Sequence, residues 1–391
     1  MNALDWLLVA LMAAYALSGY WQGFITGAAA TFGLLAGGAF GIWLAPIALG
    51  DASPSIWVSL GALFIVILAA SLGQALFQYA GSRLRDSIKW QPVRAVDAVG
   101  GALLSAGAVL IVAWALGLAI SGSRIGAVTA QVRDSAILAR VNEALPDRAG
   151  QALQGFTDVV GSSIFPRYLE PFAKEQIVAV APGPKRMLTD PDVTSAQDSV
   201  VKVSGVNRCG RGVEGSGFVY AADRVMTNAH VVAGVEHPEV WFGDDARQGT
   251  VVVYDPGLDV AVIEVDDGGM PRLAFDESAE AKDPAAVLGY PQDGPFRIES
   301  ARVRAKQRLR SPNIYGSGSL VREVFSLRAD VLPGNSGGPV LSSAGDVIGV
   351  VFAASVTDAE TGYALTAAQV AQSAAKGVTQ ASPVNTGRCA Q

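Results

Sequence analysis

Four apolar stretches, roughly Leu4–Tyr20, Phe24–Leu49, Ile56–Ala80 and Ala98–Ile120, fill almost all of the first 120 residues of this chain. Each approaches or exceeds the roughly 20 residues that a helix needs to cross a bilayer. In lipid a chain must satisfy its backbone internally, as helices do. The pattern therefore predicts a four-span helical membrane domain over residues 1–122. The first stretch has no positively charged leader and is followed at once by more spans, so it reads as a span and not as a signal peptide. In the second, Gly33, Gly37 and Gly41 recur at the spacing that lets two helix backbones approach closely in lipid. No ionised side chain lies deep within a span, which points to an anchor or scaffold and away from a transport path.

The loops give an orientation. The loop between spans three and four carries Arg83, Arg85, Lys89 and Arg94, whereas the loop "GDASPS" between spans two and three carries no Lys or Arg. The positive-inside rule puts the basic loop in the cytoplasm, so span four leads outward. Arg124, Arg133 and Arg140 beyond span four run against that rule. The chain is 50% hydrophobic and 16% charged, and the apolar excess is confined to the region before residue 121. A net charge of −6 gives no general basic character for nucleic acid. Two cysteines, Cys209 and Cys389, are too few and too far apart for an ordinary zinc site, so no metal or cofactor is expected.

Residues 123–198 read as a helical stem and linker. Ile125, Val128, Val132, Ile137 and Val141 recur near helical spacing, and Pro146 ends that helix. A second short helix is expected near Gln151–Val160, and "APGPK" at 181–185 breaks the pattern. From residue 199 to 391 the period changes. "SVVKVSGV", "GSGFVYA", "RVMTNA", "PEVWF", "GTVVVYD", "VAVIEV", "AAVLGY", "VFSLRA" and "DVIGVVFA" are short, rich in Val, Ile, Phe and Tyr, and separated by Gly, Pro and Asp. Such spacing predicts an all-β barrel or sandwich.

Three side chains with complementary chemistry lie in this region. His230 ends "VMTNAH", Asp259 sits in "GLDVAVIEV", and Ser336 sits in "VLPGNSGGPV", whose glycines and prolines suit a turn better than a strand. A serine nucleophile needs a base for its proton and a carboxylate to fix the base's tautomer. It also needs backbone N–H groups aimed at the developing oxyanion. Gly334 can adopt the backbone angles that would point its N–H beside that of Ser336. Taken singly each motif is weak; together and in this order they predict a catalytic triad. His237, in the polar "GVEHPEV", reads as an exposed turn residue.

"TNAHVV", "GLDVAVIEV" and "PGNSGGPV" resemble the His, Asp and Ser motifs of chymotrypsin-fold serine proteases, especially the HtrA branch, over roughly residues 199–375. The first 120 residues resemble CvpA-type (colicin V production) membrane proteins. The combination resembles MarP-type membrane-anchored periplasmic proteases of actinobacteria. The resemblance implies an all-β double β-barrel protease domain and a serine endopeptidase acting on protein or peptide substrates in the cell envelope. It also implies a cytoplasmic-membrane location with the protease outside, and a part in acid or oxidative stress resistance. HtrA proteins carry a PDZ domain after the protease, whereas this chain ends soon after the second barrel, so activation through a PDZ domain is not expected. Asn335 stands where trypsin-like zymogens have an aspartate, which closes the route through a newly cut N-terminus. The rival reading is a catalytically idle peptide-binding scaffold or a membrane secretion or assembly factor.

Further expectations concern substrate and surroundings. In this fold, Phe352, Ala353 and Ala354 would offer a strand edge to the substrate backbone. Asp330, six residues before Ser336, is a candidate for the floor of the specificity pocket. "ARVRAKQRLR" at 301–310 places Arg302, Arg304, Lys306, Arg308 and Arg310 on one strand face. That face is either an edge-blunting solvated one or a docking patch for an anionic envelope polymer or lipid headgroups. Cys209 and Cys389, on the expected oxidising side, are expected to form a disulfide that pins the C-terminal tail and responds to redox stress.

Overall fold

The structure is a computed structural model that describes residues 1–49, 56–85, 90–122, 126–146, 149, 172, 175–316, 318 and 320–390. These fall into two compact units, the first within residues 1–172 and the second from residue 175 onward. The boundary lies inside the stretch expected as stem and linker. The helix expected at Gln151–Val160 lies outside the described residues.

The first unit holds four long helices: α1 (Ala3–Gln22), α2 (Phe24–Leu49), α3 (Ile56–Arg85) and α4 (Gln91–Ile120). All four are long and apolar enough to cross a membrane. The glycine pattern is used within the bundle. A Cβ on Gly33 would lie 2.3 Å from the Gly73 carbonyl oxygen, and one on Gly37 would lie 2.3 Å from that of Ala69, so α2 and α3 run antiparallel backbone to backbone. Gly19 and Gly101 do the same for α1 and α4, each Cβ falling 2.4 Å from the other's carbonyl oxygen. The exposed tryptophans and most exposed tyrosines of the bundle lie toward its two ends, Trp6, Trp43 and Trp57 at one and Tyr20, Trp21, Tyr79 and Trp90 at the other, while exposed Phe32 and Phe64 lie between. This is the interfacial belt of membrane helices.

Two carboxylates qualify the uncharged picture of the spans. Asp97 is buried near the start of α4, where Oδ2 lies 3.2 Å from Arg85 Nε and Oδ1 accepts from the Ile25 N–H at 2.9 Å. Asp5 is buried at the start of α1. Both sit in end turns, so neither opens a polar path through the bundle. The single helix expected after span four is two, α5 (Gly126–Arg133) and α6 (Ala136–Ala144), because Ser135 N-caps the second. Asp5 explains the break. It accepts from Ser135 Oγ at 2.6 Å and from the N–H groups of Ala136 and Ile137 at 3.3 and 3.2 Å, an anion set on a helix N-terminus.

The second unit is built from two antiparallel sheets. β1 (Val200–Val206), β2 (Gly212–Ala221), β3 (Arg224–Thr227), β4 (Glu239–Phe242), β5 (Asp245–Gln248), β6 (Thr250–Asp255) and β7 (Val260–Glu264) form a seven-stranded sheet ordered β5-β4-β1-β2-β3-β7-β6. β8 (Pro284–Gly289), β9 (Arg297–Ser311), β10 (Leu320–Arg328), β11 (Pro339–Leu341), β12 (Val347–Ala354) and β13 (Thr361–Thr366) close into a barrel. Each sheet has its own core: Val201, Val219, Val225, Val240 and Ile263 in the first, Val287, Val303, Phe325, Leu327 and Ile348 in the second. A helix that the strand reading passed over, α7 (Ala367–Thr379), follows β13. Arg224 caps its end, donating from Nε to the Gly377 carbonyl at 2.7 Å and from Nη2 to that of Gln380 at 3.2 Å.

Candidate active site

Each motif residue is held at the edge of a strand by local bonds. His230 follows β3 in a turn whose neighbours Ala229, Val231, Val232 and Ala233 are buried and anchor it. Asp259 precedes β7 at φ +68°, a left-handed conformation held from several sides. Its N–H donates to the Asp255 carbonyl at 2.9 Å. Asn228 Nδ2 donates to the Asp259 carbonyl at 2.8 Å, and Asp255 Oδ1 accepts from the N–H groups of Gly257 and Leu258. So placed, the buried Asp259 carboxylate faces the histidine with both oxygens. Oδ1 accepts from the His230 N–H at 2.9 Å, and Oδ2 lies 2.8 Å from His230 Nδ1. A carboxylate acceptor at that distance favours the tautomer with its proton on Nδ1, in which Nε2 carries the lone pair.

Ser336 lies on the turn between Pro333 and Pro339, with Gly334 at φ +90° and Gly337 at φ +83°. A Cβ at Gly337 would lie 2.2 Å from the Ser216 carbonyl oxygen, so the turn presses against β2. Ser216 ties it down twice: its N–H donates to the Ser336 carbonyl at 2.7 Å and its Oγ donates to that of Gly334 at 2.6 Å. The Gln292 N–H donates to the Pro333 carbonyl at 2.6 Å from a turn in which Gln292 and Asp293 both have positive φ. Lys202 holds Asp293 in an ion pair.

These bonds sort the donors of the turn. The N–H of Asn335 donates to Leu332, that of Gly337 to Val351 and that of Gly338 to Asn335. The N–H groups of Gly334 and Ser336 have no acceptor among the described residues. Ser336 Oγ likewise makes no hydrogen bond among them.

The other expected residues fall out unevenly. Phe352, Ala353 and Ala354 end β12 and are buried. β13 pairs with one edge as far as Ala354, while β11 pairs with the other only as far as Val350. Asp330 differs from expectation. It is 48% exposed and lies 3.7 Å from Arg297 Nη2, so it is no buried pocket floor and its charge already has a partner. The basic face of β9 is also largely engaged within the chain. Arg302 donates to the carbonyls of Ala181, Pro182 and Lys282, Arg304 is buried, and Lys306 pairs with Glu323. Of the five, Arg308 and Arg310 remain exposed without an ion pair among the described residues, and nothing here supports a polymer at this face.

Cys209 and Cys389 form a disulfide. The tail before Cys389 lies along the first sheet, with Val384 N–H donating to the Val251 carbonyl at 2.9 Å and Gly234 N–H to that of Thr386 at 3.0 Å.

Three supporting residues were not singled out in the sequence: Ser216, Asn228 and Arg322. Arg322 reaches from β10 to the turn before Asp259, donating from Nε and Nη2 to the Gly257 carbonyl at 3.1 and 2.5 Å. Burial pushes its pKa down, and the nearby Asp259 and Asp255 charges oppose that shift. The "GSG" within β2 could have flagged Ser216 and the "TNAHVV" motif Asn228, whereas nothing local marks Arg322.

Fold and comparison define a trypsin-like serine endopeptidase joined to membrane helices. Residues 215–350 match the family described as trypsin-like peptidase domain, and residues 4–146 match colicin V production protein. Serine protease Rv3671c of Mycobacterium tuberculosis is 38% identical over 397 residues, covering 100% of both chains, and the present chain belongs to that protease's family. A probable periplasmic serine endoprotease DegP-like from Halomonas elongata is 34% identical over 142 residues, 35% of this chain and 28% of that one. The crystal structure of the Rv3671c protease from M. tuberculosis in its active form aligns with 44% identity and a TM-score of 0.54. That alignment covers 57% of this chain and 99% of the other.

Proposed function

We propose that Ser336, His230 and Asp259 form the catalytic triad of this endopeptidase, with the N–H groups of Gly334 and Ser336 as its oxyanion hole. Ser336 Oγ attacks the scissile carbonyl carbon while His230 Nε2 takes the hydroxyl proton. Asp259 steadies the imidazolium, and the same proton passes to the leaving amine. Water, deprotonated by His230, then releases the acyl group. The substrate backbone lies along Phe352–Ala354 as an added strand. The observation that carries this reading is the sorting of donors around Ser336, which leaves the two N–H groups an oxyanion needs.

The test is labelling of the full-length protein by a fluorophosphonate, together with peptide hydrolysis. Wild type should label and turn over, whereas Ser336→Ala should lose labelling and about a million-fold in turnover. An unlabelled wild type would favour the idle peptide-binding scaffold.

We place the protease unit on the extracytoplasmic side. Arg83, Arg85, Lys89 and Arg94 support this, as does the disulfide, which persists in oxidising compartments. Arg133 counts little against it, because its guanidinium is buried and donates to the Ser121 carbonyl at 3.1 Å. Alkaline phosphatase fused after residue 122 should be active and fused at residue 88 inactive. A part in envelope acid or oxidative stress fits this placement; loss of survival in acid on Ser336→Ala replacement is the expected outcome.

A further inference from the structure

The extended segment 175–184, ahead of the first strand, is bound to the second barrel by side chains that reach its carbonyls one after another. Arg304 Nη1 donates to the Val178 carbonyl at 2.7 Å, Arg328 Nη1 to that of Val180 at 2.7 Å, and Arg302 Nε to those of Ala181 and Pro182 at 3.2 Å. Ser300 Oγ donates to the Pro184 carbonyl at 2.9 Å. The basic side chains of β9 and β10 thus form a ladder that grips a backbone whatever its side chains.

Two of these arginines hold something else as well. Arg304 Nη2 donates to the Glu360 carbonyl at 3.3 Å and lies 3.5 Å from Asp358 Oδ2. Arg328 Nη2 bonds the Glu360 carboxylate at 2.9 Å. Both therefore clamp the segment and the 355–361 loop together. At the near end, Glu175 completes the clamp: its carboxylate accepts from Thr357 Oγ1 and, at 2.7 Å, from the hydroxyl of the buried Tyr363.

The 355–361 loop continues directly from Phe352–Ala354. The Ala329 N–H donates to the Glu360 carbonyl at 3.1 Å, and Gly362 packs on Val331. It thus joins the wall formed by 329–333, the stretch that leads into the Ser336 turn. We infer that Glu175 is a positioning residue for the substrate cleft, and that 175–184 is a strap fixing the 355–361 wall against which substrate binds. The inference rests on the cleft assignment proposed above. Within the loop, the Ser355 Oγ bonds to the Thr357 and Asp358 N–H groups are local, whereas the bonds from Glu175, Arg304 and Arg328 tie it to the strap.

The experiment uses the full-length protein in detergent, comparing wild type with Glu175→Ala, Glu175→Gln and Tyr363→Phe. Readouts are kcat and KM on a peptide substrate, fluorophosphonate labelling rate, and amide exchange over 355–361. Losing a charge-assisted bond to the wall should lower kcat/KM in Glu175→Ala by about 10-fold or more, mainly through KM. Amide exchange in 355–361 should rise with it, while labelling by a small probe falls less. Glu175→Gln keeps an acceptor and should recover most of the loss, and Tyr363→Phe should reproduce part of it. Unchanged kcat/KM and unchanged exchange in both Glu175→Ala and Tyr363→Phe would overturn the strap. Equal loss in all readouts with a lowered melting point would also overturn it, reducing Glu175 to a fold residue. If wild type fails to label at Ser336, the cleft assignment falls by itself, while exchange over 355–361 still reports on the strap.

Discussion

At Gly334 a methyl group would meet the Tyr290 carbonyl oxygen at 2.4 Å, in a backbone at φ +90° that disfavours any side chain. Gly334→Ala must therefore rotate the very peptide whose N–H we propose for the oxyanion hole. The expected result is a fall in kcat of roughly 100- to 1,000-fold with a smaller change in KM, read from steady-state kinetics. Glu214 offers a pH signature. Burial first, and the Asp293 charge second, push its pKa above the usual carboxylate value, with Lys202 pulling the other way. Glu214 is an exposed position on β2, so solvent screens the effect; its sign is that the folded state holds the proton more tightly than the unfolded one, and stability falls slightly as pH rises from the unfolded to the raised pKa. Glu214→Gln should melt higher than wild type at neutral pH and lose that advantage below about pH 4.5.

Among the elements, the α2–α3 contact is the most sharply constrained. Gly37→Leu would drive a side chain into the Ala69 carbonyl, already 2.3 Å from a bare Cβ. Overpacking at such a contact costs about 1–3 kcal/mol. A lower melting point in detergent should report it, whereas Phe40→Leu, on an exposed position, should change little. The same elements show what the sequence made legible. Membrane helices announce themselves through length and hydropathy, and the Gly33–Gly37–Gly41 spacing foretold close packing. The turn at Ser336 was legible because its glycines and prolines suit a turn better than a strand. β5, β11 and β13 were not, since "DARQ" is polar, "PVL" is too short to show a period, and "TGYALT" looks like a turn. Asp330 was misread because spacing from Ser336 fixes a position along the chain but not which ions surround it. The β9 arginines were misread for a related reason: period two puts side chains on one face, but what covers that face comes from elsewhere in the chain. Arg322 supports Asp259 through tertiary contacts that no local pattern encodes.

For the molecule as a whole, the disulfide spans a sequence separation of 180 residues. Closing so long a loop stabilises by up to about 5 kcal/mol in the chain-entropy model, and real bridges often give less. Reductant, or Cys209→Ser, should lower the melting point of the protease unit by up to about 10–20 °C. Oxidant should leave Cys209→Ser unaffected while protecting partly reduced wild type. The bridge has a topological consequence too. It turns residues 209–389 into a covalent ring, and His230, Asp259 and Ser336 all lie on that ring. One backbone cut anywhere along it opens the ring without parting its pieces. An enzyme that nicks itself between the three proposed triad residues would still migrate as one chain on a non-reducing gel, and only reduction would release two fragments. Its wounded copies keep the histidine, the aspartate and the serine tethered within reach of one another.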